Sequence, residues 1–515
     1  MRNSIVKKIS QLIIPRLEGN RLTNPSYFEK IKGLVEQGIG GFILFGGKYQ
    51  DVKKAIIELQ RIAITPLFIA SDLEQGLGQQ VEGGTLFPNA MAIGSAINPD
   101  SDGDIKLLRE AISIMALEAS EIGINVVLAP VLDVNTNPKN PIVCTRAFSD
   151  NPEKVAWFGR EFINGIQSRG LIACAKHFPG HGDTEMDSHI ELPVIKASIE
   201  RLRNLELYPF IEAIKEEVNM IMVGHLMVEV IDPDSPASLS QKIINGLLRK
   251  DLGFSRIVIT DAMNMGAIRN LYQESDACLM ALKAGADIIL HPENPETLIE
   301  YLLSKWEEIE TQVEESSKRI LKTKERLRLN TPLPSFAKVS PLALSFENRS
   351  VGGFEGGNLG FKVARTLSEK AIRIIKGTPR FTENSVVIIL DDDSSGAGND
   401  FMETLKGKYP SFESIYIDME NISLEMAKAL SEIKGRSITV AIFSKVSAWK
   451  GRNGIGLELY QFLKDALKAS ESSTIISFGS PYIFNEIEAD ILIAAYWDSA
   501  FAQRAVGKIL CERSK

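Results

Sequence analysis

Short hydrophobic runs alternate with longer amphipathic stretches between residues 38 and 290. The runs are rich in Val, Ile and Leu and apolar on both faces, which is typical of strands in a parallel sheet covered by helices. The stretches between them have apolar residues at helical spacing and charged outer faces. The pattern predicts strands at 40–45, 67–71, 125–132, 171–175, 219–224, 257–260 and 286–290, and helices at 103–122, 152–168, 199–217 and 296–326.

Seven or eight such units within about 330 residues favour an α/β fold of the TIM-like (β/α)8 barrel type over an open sheet. Residues 331–360 are rich in Pro, Ser and Gly and lack a sustained period, which indicates a connector. After it, five further strand runs alternate with helical patterns and predict a smaller three-layer α/β/α sandwich. We therefore expect a barrel domain over 1–333, a linker over 334–365 and a sandwich domain over 366–515.

Composition and charge narrow the classes of partner. The 515 residues carry a net charge of −8, which offers no general attraction to nucleic acid or anionic lipid. No apolar run approaches the ~18 residues of a membrane helix, and lysines interrupt the apolar start of the chain, so we predict neither a membrane span nor a secretion signal. The expected location is cytoplasmic, and the oligomeric state stays open. The four cysteines are far apart and predict reduced core residues.

Polar residues follow the predicted barrel strands at the points where the strands end. In α/β barrels the active site lies at the carboxyl ends of the strands, so these positions are the candidates for chemistry. They are Asp72 and Glu74 after the second run, Asp133 after the third, Lys176 and His177 after the fourth, His225 after the fifth and Asp261 after the sixth.

The densest group is 176–189, KHFPGHGDTEMDSH, which holds three of the five histidines. A metal site formed by His177, His181 and His189 is one reading, although Pro179 and Gly180 break the helix that would align two of these ligands. A nucleophilic triad around Ser188 is a second, without the Gly-x-Ser-x-Gly elbow.

Acid–base catalysis is the third reading of this segment. Asp187 and His189 point to the same side if the chain is extended, and a carboxylate beside an imidazole orients its tautomer and raises its basicity. Such a pair both donates and accepts protons near neutral pH. Its expected counterpart is a carboxylate nucleophile, for which Asp261 in VITDAMNM is the best candidate because it directly follows a buried strand.

Together these motifs resemble the β-N-acetylhexosaminidases of glycoside hydrolase family 3, the bacterial type associated with cell-wall recycling. The resemblance covers the first 330 residues and extends to SFGSPY at 477–482 in the second domain. It rests on KHFPGHG followed by DSH, on APVLDVN at 129–135, TRAF at 145–148, PASLS at 236–240 and ITDAMNM at 259–265.

The resemblance implies retaining hydrolysis of a small carbohydrate, an amino-sugar glycoside or muropeptide fragment, with release of terminal β-linked N-acetylglucosamine. It implies no metal and no organic cofactor. The residues that it assigns are Asp261 as nucleophile, His189 with Asp187 as acid/base dyad, and Asp72, Arg146, Lys176, His177 and His225 as substrate-binding residues.

One segment departs from the family pattern and bears on the sugar. Family members usually have Asp-x-Glu-Gly-Gly-Arg-Val-Gln-Arg after the second strand, where this chain has DLEQGLGQQ at 72–80. Leu77 and Gln80 thus stand where the family has two arginines, whose guanidinium groups can each hold two hydroxyls. A β-glucosidase or β-xylosidase, a β-N-acetylglucosaminide phosphorylase and a non-catalytic sugar-binding protein on the same scaffold remain as alternatives.

Overall fold

The computed structural model describes residues 2–326, 359–382, 384–420 and 422–512. The chain divides into two compact units, here called the barrel unit (Met1–Phe87, Lys106–Thr136 and Ser149–Val363) and the sandwich unit (Pro88–Ile105, Asn137–Phe148 and Ala364–Lys515). Residues 334–358 of the predicted linker lie outside the described residues, and a helix begins at Leu359, inside that predicted linker. The domain boundaries stay a prediction.

The strands of the barrel unit are parallel and short. In chain order they are β1 (Ile13–Ile14), β2 (Arg16–Glu18), β3 (Gly41–Phe45), β4 (Phe68–Ser71), β5 (Val126–Val127), β6 (Ile172–Phe178), β7 (Val194–Ile195), β8 (Met220–Val223), β9 (Met227–Val228), β10 (Ile257–Ala262) and β11 (Ile288–Leu290). Strands β7 and β9 pair with each other in a small separate sheet, and the other nine form one sheet in the order β1-β11-β10-β8-β6-β5-β4-β3-β2.

The two ends of this sheet are one stretch of chain. Strand β1 pairs with β11 and β2 pairs with β3, and only Pro15 separates β1 from β2. The nine strands therefore fill eight positions of a nearly closed ring, which confirms the predicted TIM-like barrel. The sequence pattern missed β1 and β2 because a proline inside an apolar run argues against a strand.

The helices as far as residue 326 lie in the barrel unit, except Ala90–Ala96 and the first turn of Asp102–Ile122, which belong to the sandwich unit. They are α1 (Arg2–Gln11), α2 (Pro25–Glu36), α3 (Tyr49–Ile62), α4 (Ala90–Ala96), α5 (Asp102–Ile122), α6 (Pro152–Gln167), α7 (Ile199–Asn204), α8 (Tyr208–Lys215), α9 (Gly266–Arg269), α10 (Glu274–Ala284), α11 (Pro295–Ser304) and α12 (Trp306–Arg326). A π-helical segment spans Lys242–Asp251. Among the described residues, none of the helices combines the length and apolarity needed to cross a bilayer.

Local sequence explains where several helices begin. Asn24 and Asn151 each stand directly before a proline at the first helical position, and their side chains accept hydrogen bonds from backbone N–H groups of the first turn, at 3.2 and 2.7 Å. Such caps satisfy donors that a helix start leaves open. The predicted helix over 199–217 is two helices, α7 and α8, because the chain leaves helical geometry at Leu205.

A lysine is buried at the amino-terminal end of the barrel strands. Lys324 of α12 donates to Gln11 Oε1 and to the carbonyl of Gly40, both at 2.9 Å, and its ammonium lies 4.7 Å from the centre of the Phe68 ring. Burial lowers the pKa of Lys324 to about 7. This side chain therefore ties α12 to α1 and β4.

The sandwich unit has a second sheet of six strands. They are β12 (Arg373–Lys376), β13 (Val386–Asp391), β14 (Ser414–Asp418), β15 (Ser437–Phe443), β16 (Ser472–Ser477) and β17 (Ile491–Ala494), in the order β12-β17-β16-β15-β13-β14. All neighbours are parallel except β12, an antiparallel edge strand that the sequence pattern missed. The helices after the barrel are α13 (Leu359–Ala371), α14 (Asn399–Lys406), α15 (Ile422–Glu432), α16 (Leu457–Ala469) and α17 (Ala500–Glu512).

Four of these five helices pack in two pairs. Helix α14 packs against α17 and α15 against α16, with the sheet between the pairs. Alternate residues of β13, namely Val386, Ile388 and Leu390, share a buried cluster with Leu459 and Leu463 of α16. The predicted three-layer sandwich is confirmed.

Two Gly-rich loops at the carboxyl edge of this sheet enclose carboxylates of the chain itself. Asp391 accepts hydrogen bonds from the backbone N–H groups of Ser395 (2.8 Å) and Ala397 (3.1 Å) in the loop after β13. Asp392 accepts one from the N–H of Gly456 (2.7 Å) in the loop before α16. The amides that a bound phosphate would use in such loops are thus taken by side chains.

Candidate active site

The structure places seven of the eight predicted site residues at the carboxyl ends of the barrel strands or in the loop after β6. Asp72 follows β4, Lys176 and His177 are near the end of β6, and His225 follows β8. Asp261 lies within β10. Asp187 and His189 lie in the loop that connects β6 to β7.

Arg146, the eighth, belongs to the sandwich unit. It ends a short 3-10 turn, Cys144–Arg146, and donates to the carbonyl of Ile142 at 3.3 Å. Two residues of the same unit hold the segment that carries Arg146. Asn453 donates to the carbonyls of Pro138 and Asn140, and Ser480 contacts Cys144 Sγ at 3.3 Å. Its role in substrate binding stays a prediction.

Lys176 links two carboxylates at the barrel mouth. Its ammonium lies 2.7 Å from Asp72 Oδ1 and 2.7 Å from Glu74 Oε1. The lysine side chain is 2% exposed, whereas that of Asp72 is 26% exposed. The buried ammonium is held in one position, since moving away from these carboxylates would leave its charge buried without acceptors. This trio presents the Asp72 carboxylate to the cleft in a fixed orientation.

Asp133 is the buried anchor of the His177 and His181 region. Its Oδ2 lies 2.7 Å from His177 Nδ1, and its Oδ1 accepts the backbone N–H groups of His177 (3.2 Å) and His181 (2.7 Å). Burial raises the pKa of Asp133, but the charge of His177, its hydrogen bond and the charge and amide of His181 together lower it. Since the carboxylate can only accept, His177 Nδ1 carries a proton, and Nε2 is left for other contacts.

His181 shapes the loop from inside. Its Nδ1 contacts Thr184 Oγ1 at 2.7 Å and its Nε2 contacts Ser188 Oγ at 3.0 Å. Burial lowers the pKa of His181 to about 4, so the ring is neutral at pH 7. Ser188 does meet a histidine, but both side chains are buried and the second ring nitrogen contacts a hydroxyl rather than a carboxylate. This is not the arrangement that activates a serine nucleophile.

The three histidines of the segment have separate partners. His177 contacts Asp133, His181 contacts Thr184 and Ser188, and His189 contacts Asp187. Within the part of the chain that the structure describes, no group of three or more His, Cys, Asp or Glu side chains is arranged to hold a metal ion.

Asp187 and His189, which the sequence predicts as an acid/base dyad, are in direct contact. His189 Nδ1 lies 2.8 Å from Asp187 Oδ1, and the same oxygen accepts the backbone N–H of His189 at 2.9 Å. The Asp187 side chain is fully buried, whereas the histidine side chain is 24% exposed. The carboxylate therefore fixes the Nδ1–H tautomer and leaves Nε2 as the nitrogen that can exchange a proton.

Asp261 is held in its ionised form. Burial raises the pKa of its carboxyl group, but the charges of His177, His225 and His189 and the backbone N–H of Ala262, at 2.8 Å, together bring it below the ordinary value. An ionised carboxylate at the end of a rigid strand is what nucleophilic attack requires.

His225 is fully buried beside this carboxylate. Its Nε2 donates to the carbonyl of Ala262 at 3.0 Å and its Nδ1 contacts Ser238 Oγ at 2.7 Å. Burial lowers the pKa of His225, so the ring is neutral at pH 7 and charged only in the acid range in which Asp261 takes up its proton. A direct hydrogen bond from His225 to a sugar would require one of these bonds to break, and that predicted contact stays a prediction.

Three residues of this site were not assigned roles from the sequence. Glu74 and Asp133 carried a signal, because each stands within three residues of the end of a predicted strand, and Ser238 lies in the PASLS motif. Their partners are 102, 44 and 13 residues away along the chain, so only the folded barrel shows the pairing. Their carboxylate and hydroxyl groups hold Lys176, His177 and His225 in place.

The strand ends of this parallel barrel carry a carboxylate, a histidine hydrogen-bonded to a second carboxylate, and a lysine held by two more, at the place where barrel enzymes have their active sites. The family model "Glycosyl hydrolase family 3 N terminal domain" matches residues 4–323. The chain belongs to this family.

Curated and solved relatives agree with this assignment. Beta-hexosaminidase A of Pseudoalteromonas piscicida is 36% identical over 277 residues, which are 49% of this chain and 46% of that protein. Beta-hexosaminidase of Nitrosomonas eutropha is 31% identical over 274 residues, 52% of this chain and 78% of that protein. A family 3 beta-N-acetylglucosaminidase structure from Paenibacillus sp. FPU-7 superposes with a TM-score of 0.82 at 28% identity, covering 99% of this chain and 97% of that chain. The chain spans about half the length of the first of these relatives.

Proposed function

We propose that the chain is a retaining β-N-acetylhexosaminidase with Asp261 as nucleophile. The observation that carries the proposal is the Asp261 carboxylate fixed at the end of β10 by the N–H of Ala262, together with the His189–Asp187 pair in the loop after β6. In the first step, the carboxylate oxygen forms a bond to the anomeric carbon as the bond to the leaving oxygen breaks. The product is a glycosyl ester on Asp261.

His189 supplies and later removes the proton. Its Nε2–H protonates the leaving oxygen in the first step, which leaves a neutral imidazole. In the second step, that nitrogen takes a proton from water as the water oxygen displaces Asp261 from the anomeric carbon. Two inversions give net retention, and Asp187 stabilises the charged imidazole each time.

The polar groups beside Asp261 suit the hydroxyls of a terminal sugar. Asp72 presents a fixed carboxylate, and His177 has Nδ1 committed to Asp133, so Nε2 is the nitrogen that a hydroxyl would meet. With Lys176, these residues form the sugar-binding group that we propose. We propose as substrate the class expected from the sequence, a small amino-sugar glycoside or muropeptide fragment.

The 75–87 loop bears on which sugar the site binds, because a leucine stands there in place of an arginine. Leu77 is fully buried, and Gln75 holds the loop through the carbonyl of Phe87 at 3.2 Å and Gln79 Oε1 at 2.9 Å. A buried leucine makes no polar contact to substrate, so the hydroxyls or acetamido group that a cation would bind there need another partner. Glucosides and xylosides are therefore the competing substrates.

Trapping the intermediate tests the proposal. A 2-fluoro sugar with a good leaving group should label Asp261, and Asp261→Ala should lower activity by several orders of magnitude while the fold survives. Asp251→Ala removes an exposed carboxylate elsewhere in the barrel unit and serves as the matched control.

A panel of aryl N-acetylglucosaminide, glucoside and xyloside then identifies the sugar. Label on a different carboxylate would overturn the nucleophile assignment. Binding of these sugars without turnover would make the protein a sugar-binding relative.

A further inference from the structure

The loop that carries the dyad is fastened to the segment that follows Asp261. The backbone N–H of Gly266 donates to the carbonyl of His189 at 2.9 Å, and the N–H of Ala267 donates to that of Ser188 at 3.1 Å. The Asn270 side chain donates to the carbonyl of Ile190 at 2.9 Å. The carbonyls of three consecutive loop residues thus accept hydrogen bonds from the first turn of α9 and from Asn270, the residue after α9.

Gly266 allows this close approach. A Cβ at this position would lie 2.5 Å from the carbonyl oxygens of both His189 and Ile190. Real Cβ atoms do not approach backbone oxygens so closely, so any side chain at Gly266 would push the loop away. The hydrogen bonds at positions 266 and 267 depend on that contact.

The other side of the loop is fixed independently. His181 contacts Ser188 Oγ at 3.0 Å, and Arg201 lies 2.7 Å from Asp183 Oδ2 at the start of the loop. The loop is therefore held at both flanks, and the α9 side is the flank in direct contact with the dyad's own backbone.

We propose that Asn270 and Gly266 are positioning residues that hold His189 in register with Asp261. Gly266 follows the proposed nucleophile by five residues on the same strand-to-helix segment. That segment therefore carries Asp261 itself and also holds the backbone of His189, the proposed acid. A shift of the loop would change the distance between His189 Nε2 and the leaving oxygen, without touching Asp261. This inference rests on the proposed function, because it assigns a mechanical role within that catalytic pair.

Asn270 provides the clean test because it is exposed and its loss should not unfold the protein. In Asn270→Ala and the isosteric Asn270→Asp, neither of which can donate, kcat on an alkyl glycoside should fall about 10- to 100-fold, because an acid displaced by ~1 Å loses much of its effect. On a dinitrophenyl glycoside, whose leaving group needs no proton, kcat/KM reports the first step alone and should change less than about threefold. kcat on that substrate is not the readout, because the second step still uses His189 as its base.

Asn164→Ala is the matched control, since Asn164 makes a similar exposed amide bond to Glu216 Oε2 at 3.0 Å. Gly266→Ala should show the same substrate split, against Gly33→Ala, where a Cβ meets nothing within 4 Å. Equal losses on both substrates, or no loss on either, would overturn the positioning role.

Hydrogen exchange separates this inference from the proposed function. The amides of 183–191 should exchange faster in Asn270→Ala than in the wild type, whether or not the protein cleaves glycosides. A wild type without glycosidase activity but with this exchange difference would refute the proposed function and keep the docking. Unchanged exchange would refute the docking itself.

Discussion

The buried Lys324 should make the barrel more stable as the pH rises above neutral. Its pKa is about 7 in the folded protein and 10.5 for an ordinary lysine. Below pH 7 the side chain is protonated in both folded and unfolded chains, and the folded state bears the whole cost of burying the charge. Between pH 7 and 10.5 only the unfolded chain still binds the proton, so the free energy of unfolding rises with pH.

The size of the effect follows from the same two values. Each tenfold change in proton affinity corresponds to about 1.4 kcal/mol, so the full difference is roughly 5 kcal/mol. The carbonyl acceptors from Gln11 and Gly40 and the face of the Phe68 ring stabilise the ammonium and reduce this figure. We expect a rise of about 2–5 kcal/mol over that range.

Urea unfolding of the wild type and of Lys324→Met at pH 7 and pH 9.5 measures this. Trp449→Phe and Trp497→Phe in both proteins leave Trp157 and Trp306, which lie in the barrel unit, as the fluorescent probes. Other titrating groups cancel in the difference between the two proteins, which should change by at least 1–2 kcal/mol between the two pH values in favour of the wild type. A difference that is constant with pH would refute the argument, whatever its absolute size.

Three further outcomes concern the site. Asp187→Asn should lower kcat/KM, which reports the first step, by about 10²- to 10⁴-fold on alkyl glycosides and far less on dinitrophenyl glycosides, and equal losses would mean that the dyad does not transfer the proton. Asp133→Asn should lower the midpoint of thermal unfolding of the barrel by the equivalent of about 3–5 kcal/mol, because His177 loses its buried partner, and an unchanged midpoint would contradict this. N-acetylglucosaminide cleavage should yield free sugar at similar rates with and without phosphate at equal ionic strength, whereas a sugar 1-phosphate as main product would make the protein a phosphorylase.

Hydrophobic pattern predicted both sheets well, and its errors have physical reasons. The fourth predicted strand ends at Ala175, whereas β6 runs to Phe178 with every residue buried. Lys176 and His177 look like strand-end polar residues in the sequence. Each contacts a carboxylate from the end of another strand, and this contact offsets the free-energy cost of burying a polar side chain.

The roles of residues at long range were the hardest to predict. The pattern predicted a role for Asp187 and His189 because they stand two residues apart, and for Asp261 because a strand precedes it. It gave no sign that Asn270 holds Ile190, since the two are 80 residues apart and neither belongs to a motif. Such contacts depend on the barrel bringing the end of β10 beside the loop after β6.

The carboxylates inside the two Gly-rich loops of the sandwich unit have a consequence for ligand binding there. Sheets of this topology bind nucleotides where the strand order reverses, between β13 and β15 here, through amides of Gly-rich loops. Asp391 and Asp392 occupy such amides with the chain's own negative charge. A phosphate at this edge would meet two carboxylates instead of open N–H groups, so the sandwich repels the class of ligand that its topology accepts elsewhere.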